Sequence, residues 1–279
     1  MKLLKKVLVL ILVLLGVLGA VWGIDKIKDQ RPKIKTEENR GEKENQLIKF
    51  AVMADVHSDW DNFKSALEIA KKDESEFVIV AGDLTTIGKK EEFLEAKKIL
   101  DESGLKYYII LGNHDVWYGR RLNQDIFGEV FGNTYFSFKK DGFKFILINN
   151  GDDTGGLEKI KGTEGQKKWI EKETEECLKI DCLVFLHIPL NHPSSIYIMG
   201  QDQPAVASQA GELIELFKKN KVKELFAGHL HFSSNYELDG LKTTIVGALT
   251  SERNFQSPKF LEIWAQNDGL KKQDIYLEN

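Results

Sequence analysis

Five short apolar runs in this sequence each end on side chains able to bind a metal. Phe50-Ala51-Val52-Met53-Ala54 leads into Asp55-Val56-His57, and Phe77 to Ala81 leads into Gly82-Asp83. Tyr107 to Leu111 leads into Gly112-Asn113-His114-Asp115, Cys182 to Leu186 into His187, and Glu224 to Ala227 into Gly228-His229-Leu230-His231. Runs of this length match strands buried on both faces. In open α/β sheets ligands bind beyond the carboxyl ends of the strands, so side chains scattered from 55 to 231 are expected to meet in space. Asp55 and His57, like His229 and His231, stand two apart, which in extended backbone points both to one side. The glycines before Asp83, Asn113 and His229 permit tight turns and close approach of backbone to the site. Carboxylate, imidazole and amide donors together suit divalent transition metals better than Ca²⁺, which takes all-oxygen shells. The donors are too many for one tetrahedral ion, and two ions sharing a carboxylate would use them all.

The elements that must position these residues follow from periodicity. Strands are expected at 48–53, 77–81, 107–111, 182–186 and 224–227. Helical spacing of apolar residues predicts helices over Asn62 to Lys72, Lys89 to Ser103 and Ala207 to Asn220. The second of these would bury Phe93, Leu94, Ala96, Lys97 and Leu100. Hairpins are expected about Asp141-Gly142 and Asp239-Gly240, with further antiparallel strands at 259–265 and 272–277. Short strands alternating with amphipathic helices describe a layered α/β domain.

With these blocks in place the chain resembles the calcineurin-like metallophosphoesterases, whose ordered pattern D-x-H, G-D, G-N-H-D/E, H, G-H-x-H is complete between 55 and 231. The resemblance implies a four-layer α/β/β/α sandwich over about 48–279. It implies that Asp55, His57 and His231 bind a first divalent transition-metal ion and that Asn113, His187 and His229 bind a second, with Asp83 bridging; Mn, Fe and Zn all fit such a set. His114 would be the catalytic histidine, oriented by Asp115. Gln166 and Trp169 would belong to a helix packed on the sheet, Trp169 in the core. Two such ions about 3.5 to 4 Å apart activate a shared water and grip phosphoryl oxygens. The implied reaction is hydrolysis of a small phosphomonoester or phosphodiester by direct attack of a metal-bridging hydroxide, with no protein nucleophile. The alternative is a non-catalytic binding or scaffold module on the same fold.

Composition sets outer bounds. The 279 residues allow one large or two small domains, and the apolar and charged fractions of 42% and 29% are those of an ordinary globular protein. Two cysteines exclude a zinc ribbon or finger. Cys177 and Cys182 would pair if the domain is exported and otherwise serve as small buried hydrophobes. Residues 1–47 carry 10 basic and 6 acidic side chains, leaving 29 basic against 37 acidic beyond them, so the body is near −8. That charge argues against nucleic acid as a partner, since such binding needs Lys and Arg to displace counterions.

Val7 to Ile24 is a charge-free run preceded by Lys2, Lys5 and Lys6. As a helix it would approach the hydrocarbon thickness of a bilayer. It is expected to be a retained single-pass anchor (1–24), with secretion after signal cleavage as the alternative, followed by a charged linker (25–46) and the domain (47–279). The domain is expected outside the cytoplasm. Ile188 to Ser208, directly after a metal-binding candidate, is either a substrate-facing lid or ordinary packing. Trp117, Tyr118, Arg120 and Arg121 would contact substrate or simply pack and solvate. Asp152, Asp153, Gly155 and Gly156 do not fit a calcium loop and are expected to form a flexible one. His192 is expected at the surface.

Overall fold

Alternation along the strands decides the layering. In β1 (Ile48–Met53), Ala51 and Met53 face a cluster that also contains Phe63, Leu67, Phe93 and Leu100, whereas Ile48, Phe50 and Val52 face a second cluster with Phe145, Phe185 and Phe226. The same period of two divides β2 (Phe77–Ala81), with Val78 and Val80 toward the helices and Phe77, Ile79 and Ala81 toward the middle. In β6 (Asp181–Phe185) Leu183 and Phe185 point to the middle cluster, while Cys182 and Val184 meet a third cluster under other helices. Strands covered on both faces must be apolar throughout, which is why these runs lack polar alternation.

The computed structural model describes residues 48–117, 123–158, 165–266 and 269–277. One sheet has the order β11-β10-β1-β2-β3, with β3 at Lys106–Ile110, β10 at Lys259–Gln266 and β11 at Gly269–Tyr276. Here β1, β2 and β3 are parallel, while β10 runs antiparallel to both β1 and β11. The other sheet has the order β4-β5-β6-β7-β9-β8, with β4 at Phe136–Lys140, β5 at Phe143–Leu147, β7 at Glu224–Ala227, β8 at Ser234–Leu238 and β9 at Leu241–Ile245. Its inner strands β5, β6, β7 and β9 are parallel and its edges antiparallel. Phenylalanine rings fill the space between the sheets, with Phe50 on Phe77 and Phe185 on Phe226 each at 5.0 Å.

Helices α1 (Trp60–Lys72), α2 (Lys90–Ser103) and α3 (Asn123–Phe131) cover the first sheet; α4 (Gln166–Glu175) and α5 (Pro204–Lys219) cover the second. Asp59 caps α1 by accepting from the Asn62 amide at 3.3 Å. In α2 the buried face is Phe93, Ala96, Ile99 and Leu100, rotated from the expected one, so Leu94 is half exposed and Lys97 lies on the surface with Asp101. α3 has no counterpart in the sequence reading; Phe127 anchors it edge-on to Phe93 at 5.7 Å. Both expected hairpins form about Asp141-Gly142 and Asp239-Gly240, whose positive φ values suit the two-residue turn.

Cys177 and Cys182 are joined by a disulfide. Among the described residues no helix is long and apolar enough to cross a membrane. The expected anchor Val7–Ile24 lies outside the described residues, as do Tyr118, Arg120 and Arg121.

Candidate metal centre

The carboxyl ends of β1, β2, β3, β6 and β7 lie at one rim, and the loops leaving them are tied to one another through backbone. Asp55 N donates to Gly82 O, His57 N to Asp83 O and Gly228 N to His187 O. Thr250 N donates to Asp55 O, which brings the loop after β9 under the same rim. Asp55, His57, Asp83, His229 and His231 all take left-handed backbone, with φ between 46° and 72°. This corrects the expected geometry of the two-apart pairs: they share a site because the chain kinks through the left-handed region, not because it is extended there.

The glycines act by close approach. A Cβ on Gly112 would lie 2.2 Å from the amide nitrogen and a carboxylate oxygen of Asp83. One on Gly82 would lie 2.4 Å from Nδ1 of His187.

Donor atoms of Asp55, His57 and His231 fall within 4.8 Å of one another, as do those of Asp83, His187 and His229. Oδ2 of Asp83 stands 3.1 Å from Nε2 of His187 and 3.6 Å from Nε2 of His57, and so lies between the two sets. Asn113 joins the second set through Oδ1, 3.1 Å from Nε2 of His187. Nε2 of His57 and Nε2 of His231 meet at 3.0 Å, and the Nδ1 atoms of both rings are buried without a partner. Asp55 and Asp83 are also fully buried, and among the described residues their ion-pair partners are histidines rather than Lys or Arg. Buried carboxylates with no permanent cation and facing imidazole nitrogens are the donor set a divalent ion completes.

The electrostatics agree. Burial pushes His57 and His229 down to about 3, which leaves neutral imidazoles with free lone pairs at pH 7. At His187 burial opposes charge, but the Asp83 carboxylate outweighs it and raises the group to about 9. A proton thus sits where a cation is the alternative. Burial opposes ionisation of Asp83 as well, and His187 overturns this to hold it far below the usual carboxylate range. Burial raises Asp55, partly offset by His231.

Backbone and second-layer groups orient the rings. Nδ1 of His187 donates to Ala81 O at 2.9 Å, directing Nε2 toward Asp83. His114 lines the rim, and its Nδ1 donates to Thr86 O at 2.8 Å. Asp115 therefore reaches the His114 ring through backbone: its carboxylate accepts from Leu84 N, Thr85 N, the Thr85 hydroxyl and Gly112 N, holding the loop that presents Thr86. Burial pushes Asp115 up to about 7, and Asp83 adds to the shift.

Two buried polar residues, Asn149 and Asn150, escaped the sequence reading. Oδ1 of Asn150 accepts from His187 N at 2.9 Å and Ile188 N, while its Nδ2 donates to Ile188 O. Gln166 is fully buried and clamps Asn149 through both N and O, whereas its neighbour Trp169 is only half buried beside Tyr135. Asn149 and Asn150 come after an apolar run just as the metal-binding candidates do, so the same run-end signal marks them. Asp152 forms a local turn with Thr154 N and the Thr154 hydroxyl. In the stretch after His187, Met199 is core and Tyr197 is exposed; His192 is half buried and accepts from Ser195 N at 2.9 Å.

Comparison with known proteins decides the family, because the model for calcineurin-like phosphoesterases matches residues 48–233. The chain belongs to this family. It is 22% identical over 219 residues to a probable cyclic nucleotide phosphodiesterase of Fibrobacter succinogenes, covering 70% of this chain and 77% of the relative. It is 28% identical over 169 residues to a probable glycerophosphodiester phosphodiesterase of Arcobacter nitrofigilis, covering 57% and 58%. It is 26% identical over 230 residues to a serine/threonine-protein phosphatase of Danio rerio, covering 73% and 72%. Among solved structures, the purple acid phosphatase of yellow lupin shares the fold with a TM-score of 0.56 at 14% identity, over 82% of this chain and 52% of that one. A Thermus thermophilus protein shares it at 0.54 and 11%, over 82% and 99%. This calcineurin-like phosphoesterase is a metal-dependent phosphoester hydrolase with two mixed sheets and a buried Asp/His site able to hold metal.

Proposed function

We propose that the protein is a dinuclear phosphoesterase acting on small organic phosphomonoesters or phosphodiesters and tethered at a membrane by its N-terminal segment. The observation that carries the dinuclear reading is Oδ2 of Asp83, set between His57 of one donor set and His187 of the other. Asp55, His57 and His231 would hold one ion, and Asn113, His187 and His229 the second. Divalent transition ions bound there supply hydroxide at neutral pH and offset charge on phosphoryl oxygens.

The protein's own part is positioning and proton control. The Thr86 carbonyl accepts a hydrogen bond and so fixes the proton on Nδ1 of His114, leaving Nε2 as the site that exchanges a proton. In its cationic form His114 gives that proton to the leaving oxygen, or stabilises charge there by hydrogen bonding. No side chain is needed as a nucleophile. The relatives named as a cyclic nucleotide diesterase, a glycerophosphodiesterase and a protein phosphatase support the ester class without choosing within it.

For location, the charge-free Val7 to Ile24 run behind Lys2, Lys5 and Lys6 supports an anchor with the domain outside the cytoplasm. The Cys177–Cys182 disulfide fits an oxidising compartment. The acidic body favours a small substrate over nucleic acid. The test is full-chain protein reconstituted with manganese and assayed on p-nitrophenyl phosphate, bis(p-nitrophenyl) phosphate and a glycerophosphodiester. His114→Ala should keep wild-type metal content and lose turnover on the order of 10² to 10⁴-fold. Full activity in that variant would refute the role given to His114.

A further inference from the structure

Beside the donor sets opens a cavity of about 900 Å³, and Asp83, His114, His229 and His231 form its floor. Its walls are unlike the floor. Ile196 and Tyr197 line it from the stretch after β6, and Phe232 and Phe255 from the loops after β7 and β9. Ile196, Tyr197 and Phe255 are 67%, 61% and 80% exposed, among the few large apolar side chains of the described residues that face solvent. Exposed apolar surface is unfavourable unless something covers it, and here it is continuous with the reaction centre.

Both walls are held in place. Ser195 N donates to Nδ1 of His192, Tyr197 N donates to the Ser195 hydroxyl at 3.1 Å, and Tyr236 Oη donates to Asn191 O. On the other side Phe255 N donates to His231 O, and Asn254 Nδ2 donates to Ala248 O and Thr250 O. The apolar side chains thus stand on segments tied to the site, as a preformed subsite requires. Arg253 lines the same cavity; it is the sole arginine among the described residues and has no carboxylate partner among them.

We infer that this cavity is a subsite for the organic part of the phosphoester, that the part it selects is a flat aromatic group held against Tyr197 and Phe255, and that Arg253 grips a phosphoryl oxygen. The inference rests on the proposed phosphoesterase reading and adds the substrate class. Rings favour aromatic walls by offset or edge-on stacking, which a short alkyl ester cannot offer. A guanidinium free of acidic partners is matched to phosphoryl oxygens.

The test uses two stable probes with a phosphorus–carbon bond, phenylphosphonate and methylphosphonate, titrated calorimetrically into the manganese-loaded full-length protein. Phenylphosphonate should bind at least tenfold tighter. Phe255→Ala and Tyr197→Ala should each shrink that ratio at least threefold, and the double variant should bring it near one. Arg253→Gln should weaken both probes to a similar degree and leave the ratio in place. The altered side chains are exposed, so thermal midpoints within about 2 °C of wild type confirm intact folding. Equal binding of the two probes, or a ratio that survives the double variant, overturns the subsite. A clear phenyl preference in a protein that hydrolyses no ester upholds the subsite and defeats the phosphoesterase reading; ester hydrolysis with equal probe binding does the reverse.

Discussion

Gly112→Ala isolates the effect of close approach from every other property of the site. Gly112 does not have a positive φ, so alanine brings no backbone strain. The new Cβ would lie 2.2 Å from the amide nitrogen and a carboxylate oxygen of Asp83, and 2.8 Å from its Cγ. Real Cβ contacts start near 3.0 Å, so the β2 and β3 loops must part by roughly 0.8 Å, and the obstacle includes backbone that cannot rotate aside. Overpacking of this kind costs about 1–3 kcal/mol. For a body of this size that is a loss of roughly 2–12 °C in Tm. The functional loss should be larger, because metal–ligand distances tolerate only about 0.2 Å and a misplacement near 1 Å costs on the order of 10²-fold in rate. Gly211→Ala is the matched control: it lies within α5, nothing stands within 4 Å of its new Cβ, and helix propensity predicts a gain of about 0.5–1 kcal/mol. Thermal unfolding, metal content by plasma mass spectrometry and hydrolysis of bis(p-nitrophenyl) phosphate would be measured on both. Wild-type metal content and turnover in Gly112→Ala would show that Asp83 is not the shared ligand.

Asp83→Asn should fold but bind less metal than wild type, since the oxygen between the two donor sets loses its charge; unchanged stoichiometry by plasma mass spectrometry would count against bridging. Asn150→Ala leaves Ile188 O and the amides of His187 and Ile188 unpaired in the interior, at about 1–3 kcal/mol per group, and urea titration should show a lower midpoint with metal affinity reduced as His187 loosens. Lys144 is almost fully buried and pairs with Glu173 at 2.7 Å and Glu176 at 3.1 Å. Hydrogen bonds from Lys139 and Lys144 hold Glu176 near 2; at Glu173 burial is outweighed by the bond from Lys144, so it too lies below its usual value. Both folded-state values are depressed, so their stabilisation is present above about pH 4.5 and fades as pH falls toward 2. In chelator-treated protein, Lys144→Met should therefore destabilise at pH 6, and its gap from wild type should narrow steadily as pH is lowered toward 2, as read by urea unfolding; a constant gap across that range would refute the linkage.

Much of this architecture is legible because strands buried on both faces have little freedom in composition. The runs at 48–53, 77–81 and 224–227 coincide with β1, β2 and β7, and the runs at 107–111 and 182–186 differ from β3 and β6 by one residue. The break in each run locates the site for the same reason: a polar residue there is the first with access to the rim. Other features depend on partners distant in sequence. The antiparallel pairing of β10 with β1 joins residues more than two hundred positions apart, and nothing in 259–265 specifies that neighbour. α3 is short and is held by Phe127 against Phe93 rather than by a strong pattern of its own. The rotated face of α2 shows that spacing alone admits adjacent stripes, and packing on the sheet selected Ile99 over Leu94.

The left-handed conformations at the rim explain why ligand types and ligand positions coincide. Each non-glycine residue in that region costs about 1–2 kcal/mol. For Asp55, His57, Asp83, His229 and His231 together that approaches the net stability of a typical domain, about 5–15 kcal/mol. No isolated loop would hold such a geometry. It persists because Gly82 O, Asp83 O, Asp55 O and His187 O each accept from a loop leaving a different strand, so the surrounding sheets impose each kink on its neighbour. Asp and His are among the residues that tolerate this region best, and they are also the side chains that bind divalent ions. A β-branched or large apolar residue at any of these five positions would lose a ligand and raise the backbone cost together. Replacing one by glycine would instead relax the backbone while removing the ligand, so a metal-free protein more stable than its parent is the expected mark of strain held for binding.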